Sequence, residues 1–177
     1  YGVQGIYSAP GKAVKEAYDS SGVVTNDRGI TVWLKGNRVS RNQIMAIKEE
    51  SVTDQKNSLT VCLDNILRHA GITRNTEYDL AQGKTAIQIL EENMTGVQVL
   101  DLSGCSLDAV LYYVNQDIPV LAILEDGEAV LVTGFNEFNV VIMEPSTGKL
   151  YKKGMNDATT WFAENGNHFI SYMKIEN

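Results

Sequence analysis

Few residues in this chain can do nucleophilic or proton-transfer chemistry near neutral pH. Among its 177 residues are two cysteines, Cys62 and Cys105, and two histidines, His69 and His168. Cys62 falls in "NSLTVCLDNILRHAGI". A cap at Ser58 puts it in the first turn of a helix, where the helix dipole helps to hold a thiolate. The same position suits a small apolar residue on a buried helix face. A thiol of pKa ~8.5 is mostly protonated at neutral pH and needs a base. His69 lies seven residues along the same helix, a displacement of ~10 Å at 1.5 Å per residue. His168 opens the last strand and fits either a strand-end residue or a relocated base. Glu128 and Glu144 could pair for acid–base or metal chemistry, or simply stand at a strand start and a strand end. Cys105, just before "SLDAV", suits packing or capping, with a bridge to Cys62 as the alternative. These cysteines and histidines show no zinc-ligand spacing, so neither a metal nor a cofactor is expected.

The elements that must position these residues follow from periodicity. In "NSLTVCLDNILRHAGI", Leu59, Cys62, Leu63, Ile66, Leu67 and Ala70 recur on one helical face. Asn57 or Ser58 can cap this helix and Gly71 can end it. A second helix runs through "GKTAIQILEENM" with Ile87, Leu90 and Met94 inward. "GVQVLDL" reads as a strand, and "SLDAVLYYVNQ" as a helix burying Leu107, Val110, Leu111 and Val114. The pattern then changes to closely spaced strands: "IPVLAIL", "AVLVTGF", "NVVIME" and "KLYKK". A short helix in "MNDATTWFAENG", capped near Asn156, and the strand "HFISYMKI" complete the chain. Upstream, "SAPGKAVKEAYDSSG" predicts a helix with Pro10 in its first turn, and "GVV" and "GITVWLKG" flank a hairpin turn. "QIMAIKEE" fits helix or strand. Helices first and a mainly antiparallel sheet afterwards predict an α+β fold.

Composition narrows the function classes. Hydrophobic residues make up 44% of the chain, enough for a packed core. Fifteen Lys and Arg against 22 Asp and Glu leave a formal charge of −7, with no basic stripe, so no nucleic-acid partner is expected. No apolar run approaches the ~20 residues that span a bilayer, so no membrane contact is expected within this fragment. The chain opens on Tyr1 and is expected to be an excised or processed piece.

From residue 45 to about 175, the order of elements resembles the papain-like cysteine peptidases, in particular the bacterial branch that trims double-glycine leaders from bacteriocins. The stretches that carry the resemblance are "CLDNILRHAGI", "VLYYVNQDIPVLAIL", "EAVLVTGF", "VVIMEPSTG" and "DATTWFAENG". By position, the resemblance makes Cys62 the nucleophile. It sets Glu128 where the family has its catalytic histidine, and Glu144 where it has the aspartate that orients that histidine. The oxyanion-hole glutamine stands about six residues before the cysteine in the family. Gln55 is seven before and Lys56 occupies the usual offset. Leu63 replaces the glycine that commonly follows the cysteine.

Two units are therefore expected: a small helix-plus-hairpin piece over 1–45 and a papain-like domain over 46–177. Glutamate is a poor substitute for the missing imidazole. Its pKa of ~4.3 is mismatched to a thiol proton, and its negative charge raises the pKa of a neighbouring thiol. The expected function is binding of a peptide or protein segment in the former substrate cleft, with catalysis impaired. The alternatives are an active cysteine peptidase with a non-standard base, and a structural module of a larger exported or membrane protein. The resemblance implies a bacterial, extracytoplasmic or membrane-attached setting.

Overall fold

The computed structural model describes residues 5–20, 22–35 and 46–176. Helix α1 spans Pro10–Ser20 and begins on its proline, whose fixed φ suits the first helical position. The hairpin strands β1 (Val23–Thr25) and β2 (Thr31–Leu34) pair antiparallel. Asn26 organises their turn: its Oδ1 accepts from the backbone N–H groups of Arg28 and Ile30, at 3.0 Å each. Of the segment "QIMAIKEE", positions 43–45 lie outside the described residues. The remainder is neither helix nor strand.

Helix α2 covers Ser58–His69 and ends at Gly71, whose φ of 85° a side chain would resist. A one-turn helix α3, Glu77–Ala81, follows, then α4, Ala86–Asn93, closed at its start by a reciprocal capping box between Thr85 and Gln88. On α4 the buried residues are Ala86, Ile89 and Leu90. Ile87, expected inward, is only half-buried. Strand β3 (Val97–Asp101) precedes α5 (Leu107–Asn115), which is capped by Ser106. Then come β4 (Val120–Ile123), β5 (Ala129–Phe135), β6 (Asn139–Glu144) and β7 (Lys149–Gly154). Helix α6, Met155–Glu164, starts directly out of β7. Its N-cap is Gly154 and not Asn156, and no side chain caps it. Strand β8 is Phe169–Lys174.

The six later strands form one sheet in the order β3-β8-β4-β5-β6-β7, antiparallel throughout. The last strand thus inserts between β3 and β4. All seven residues of β5 are buried, as a central strand covered on both faces requires. The described part of the N-terminal segment contributes to the same core. Val14, Ala17, Val32 and Trp33 join the buried cluster that holds α2, α5 and the sheet. Trp33 Nε1 donates to the Ala109 carbonyl at 3.0 Å, and Tyr113 Oη donates to the Val32 carbonyl at 2.7 Å. Each buried polar tip thereby finds a partner across the seam.

Candidate functional site

The start of α2 is fastened on three sides. Ahead of it, Thr53 Oγ1 accepts from the Gln55 and Lys56 backbone N–H groups, and Val52 N–H donates to the Pro145 carbonyl at 3.1 Å, beyond the end of β6. Asn57 is the cap: its Oδ1 accepts from the Thr60 backbone N–H and from Thr60 Oγ1, both at 2.9 Å. Lys56 Nζ reaches Asp64 Oδ2 at 3.0 Å and Asn75 Oδ1 at 3.1 Å. Asp64 is buried and also accepts from Thr76 N–H at 2.9 Å. This pairing holds the Lys56 ammonium above its ordinary pKa, the hydrogen bond to Asp64 contributing most.

Ser58, the first residue of α2, meets the sheet. Its side chain is 2% exposed, and Ser58 Oγ accepts from the Ala129 backbone N–H at 2.8 Å. The opening residues of α2 and β5 are thus joined by one hydrogen bond, beside Glu128. Cys62 lies one turn further along the helix and is 0% exposed. Burial pushes its thiol well above the ordinary value, and the charges of Glu50 and Glu128 push it further in the same direction. The Glu128 charge thus disfavours the thiolate, the sign opposite to that of an imidazolium.

Glu50 is a member of this group that sequence reasoning missed. Its Oε1 accepts from Asn65 Nδ2 at 3.3 Å and from Arg68 Nη1 at 3.4 Å, along the face of α2. Asn65 Nδ2 also donates to the Val61 carbonyl at 2.8 Å. Glu50 sits in an irregular stretch, where no periodicity indicates which way a side chain turns. Ser58, which the sequence offers as a cap, is instead the first residue of α2, with Asn57 as the cap and Cys62 as the fifth residue.

The remaining candidates are dispersed. Glu144, at the end of β6, is engaged toward β7. Tyr151 Oη donates to Glu144 Oε1 at 3.3 Å and Thr147 Oγ1 donates to Oε2 at 2.9 Å. Burial first, then the Glu144 charge, raises the Tyr151 phenol to about 12. Gln55 is exposed in the loop before α2, and Leu63 is fully buried. His69 Nε2 lies 3.0 Å from the Asp117 carbonyl at the far end of α2. His168 lines a different hollow of about 570 Å³ with Asp101, Ser103 and Glu125. Cys105 is a free, buried thiol whose Sγ donates to the Gly11 carbonyl at 3.3 Å. Cys62 is free as well, so the two do not form a bridge. Among the described residues, no three His, Cys, Asp or Glu side chains converge as metal ligands, and no helix is long and apolar enough to cross a membrane.

No protein-family model matches the chain, and no curated protein sequence matches it. A solved structure from Bacillus anthracis, assigned as a C39-like peptidase, superposes with a TM-score of 0.61 at 16% identity. The match covers 80% of this chain and 100% of the other. At that identity the likeness speaks for architecture alone, and with the antiparallel sheet and packed helices it gives the chain the α+β fold of the papain-like cysteine peptidases.

Proposed function

We propose that this chain is a papain-like domain that binds an extended peptide or protein segment without cleaving it. The observation that carries this reading is the state of Cys62. A nucleophilic cysteine needs access to substrate and a positive or basic neighbour to hold its thiolate. Cys62 is fully buried, and the charged groups that raise its pKa are two carboxylates. Ser58 Oγ, closer to the sheet, accepts a backbone hydrogen bond and has no imidazole to take its proton. On this reading the bound segment lies along the seam that the Ser58 Oγ bond to the Ala129 N–H closes between α2 and β5.

The test has two arms. In the first, iodoacetamide reaction at Cys62 is followed against pH in the original chain and in Glu128→His. The original thiol is expected to titrate at or above ~8.5 and to react slowly. Glu128→His replaces an anion with a group that can be cationic, so it is expected to lower the apparent pKa and speed the reaction. An original thiol that titrates below ~7 would overturn the reading in favour of an active cysteine peptidase. In the second arm, isotope-labelled protein is titrated with a synthetic peptide ending in Gly-Gly. Amide shifts at residues 57–60 and 128–130, with the peptide recovered intact, support binding at the seam. Cleavage of the peptide refutes it.

A further inference from the structure

The outer edge of β3 is the feature that the α2–β5 seam leaves unexplained. Strand β3 ends the sheet order, so one of its sides has no strand neighbour. Its ladder phase follows from two bonds to the β8 side: Leu102 N–H donates to the Phe169 carbonyl at 2.8 Å, and Ile175 N–H donates to the Gly96 carbonyl at 2.9 Å. The register between them runs from Val97 opposite Lys174 to Asp101 opposite Ile170. Hydrogen-bonding residues alternate along an antiparallel pair. Gln98 and Leu100 therefore turn their backbone groups toward β8, and Val97, Val99 and Asp101 turn theirs outward. Helix α1 covers the Asp101 end, where a Cβ built on Gly11 would lie 3.2 Å from the Asp101 carbonyl oxygen. The N–H and C=O groups of Val97 and Val99 have no partner among the described residues.

This open stretch is the floor of a groove. A hollow of about 370 Å³ is lined by Val97, Gln98 and Val99 together with the hairpin turn Asn26–Arg28 and Glu91 of α4. The hairpin wall is tied to the strand, because Asn26 Nδ2 donates to Gln98 Oε1 at 3.0 Å. The opposite edge of the sheet is built differently. Strand β7 carries Lys149, Lys152 and Lys153, and its Leu150 N–H is already taken by Glu49 Oε1 at 3.3 Å. Lysines on an edge strand discourage pairing. The β3 sequence, VQVLD, has none.

We infer that the Val97–Val99 edge is a second recognition site, which takes an extended segment of a partner protein by strand addition. Two donors and two acceptors at strand spacing recognise backbone in the extended conformation. The groove walls set the side-chain chemistry. Asp27 and Glu91 against Arg28 leave a net charge of −1, on a chain of formal charge −7. The occupant is therefore polar and net basic. This site is distinct from the α2–β5 seam and does not depend on how that seam functions.

The probe is the capped hexapeptide acetyl-Thr-Lys-Thr-Val-Lys-Thr-amide, titrated into isotope-labelled protein at low salt. Before addition, the Val97 and Val99 amides are expected to exchange with deuterium much faster than those of Gln98 and Leu100. On addition, the Val97 and Val99 amides should shift and become protected, and those at 57–60 and 128–130 should not move. Val99→Pro removes one outward donor without touching the bonds to β8, since proline is tolerated on an edge strand. It is expected to weaken binding at least tenfold. Should that variant fail to fold, the exposed pair Asp27→Lys and Glu91→Lys tests the walls, again with at least a tenfold loss. Absence of binding, shifts confined to the α2–β5 seam, or equal binding of the same peptide with glutamates for lysines would each overturn the inference. So would Val97 and Val99 protection that rises with protein concentration alone, which would make a second copy of this chain the occupant.

Discussion

Ser58 shows how much a single side chain fixes at the seam. Its hydroxyl satisfies the first backbone N–H of β5, which has no other partner among the described residues. Ser58→Ala leaves that buried donor unpaired, a cost of about 1–3 kcal/mol. Because Asn57 remains as the helix cap, the loss should appear in global stability by urea denaturation and not as fraying of α2. A change below a few tenths of a kcal/mol would mean that the bond contributes nothing net. The neighbouring chemistry was only half legible in the sequence. Glu128 itself was visible because it stands in a recognisable stretch before "AVLVTGF". The burial of Cys62 was one of two readings of a helical face, since periodicity alone does not say how deep the first turn sits. Glu50 was invisible because its placement depends on an irregular segment bonding to Asn65 and Arg68 fifteen and more residues away in sequence.

Among the elements, β5 carries an irregularity that no sequence pattern revealed. Its register against β6 shifts between Val132 and Gly134, so Thr133 is the extra residue of a bulge. Thr133 is fully buried and its hydroxyl has no hydrogen-bond partner among the described residues. An unpaired buried hydroxyl is unfavourable, and valine has nearly the same shape without it. Thr133→Val is expected to raise stability by about 0.5–2 kcal/mol, read from the urea midpoint at unchanged slope. A destabilised variant would show that the hydroxyl is bonded in solution. The long periodic elements were legible for a physical reason: α2, α5 and the strands β4 to β6 are set by burial of a whole face. Helix α3 is a single turn, too short for a period to show. The start of α6 follows from β7 running straight into it, so the expected cap at Asn156 had no role. On α4 the inward direction depends on how the helix rolls against β3 and α2, which moved burial from Ile87 to Ile89.

For the molecule as a whole, the N-terminal hairpin and α5 act as one packed body. Trp33 is 2% exposed, touches Tyr18 and Tyr112 at ring distances of 6.3 Å, and bonds Ala109 through its indole. Trp33→Ala is expected to cost about 3–5 kcal/mol. Thermal melting should remain a single transition if the hairpin and sheet unfold together. Two transitions, or a loss confined to the hairpin, would separate the first segment from the rest.

The burial that raises the pKa of both thiols also predicts how the whole chain responds to alkali. The pKa of Cys62 is raised by burial, then by Glu50 and Glu128. That of Cys105 is raised to about 11 by burial, with Lys15 opposing and Asp101 reinforcing. In the unfolded chain both thiols lose their protons near ~8.5. Above that pH the folded state holds protons that the unfolded state has released, so stability falls as pH rises. The contribution is fully present below ~8.5. For Cys105 it is lost progressively up to about 11, and for Cys62 the loss extends toward its own raised value. Each thiol contributes a slope of about 1.4 kcal/mol per pH unit within its window. Tyr113, buried and likewise raised, adds to the fall once the pH passes ~10. Urea denaturation at pH 7.0, 8.5, 9.5 and 10.0 should therefore give a flat stability up to ~8.5 and a steepening decline beyond it. Cys62→Ala should lower stability at pH 7.0 by removing packed volume, yet decline less steeply above ~8.5 because one of the two linked protons is gone. Parallel curves for the two proteins would mean that the Cys62 thiol titrates alike in both states. It would then be neither buried nor shadowed by its two carboxylates in solution, and the non-cleaving reading of the seam would lose its support.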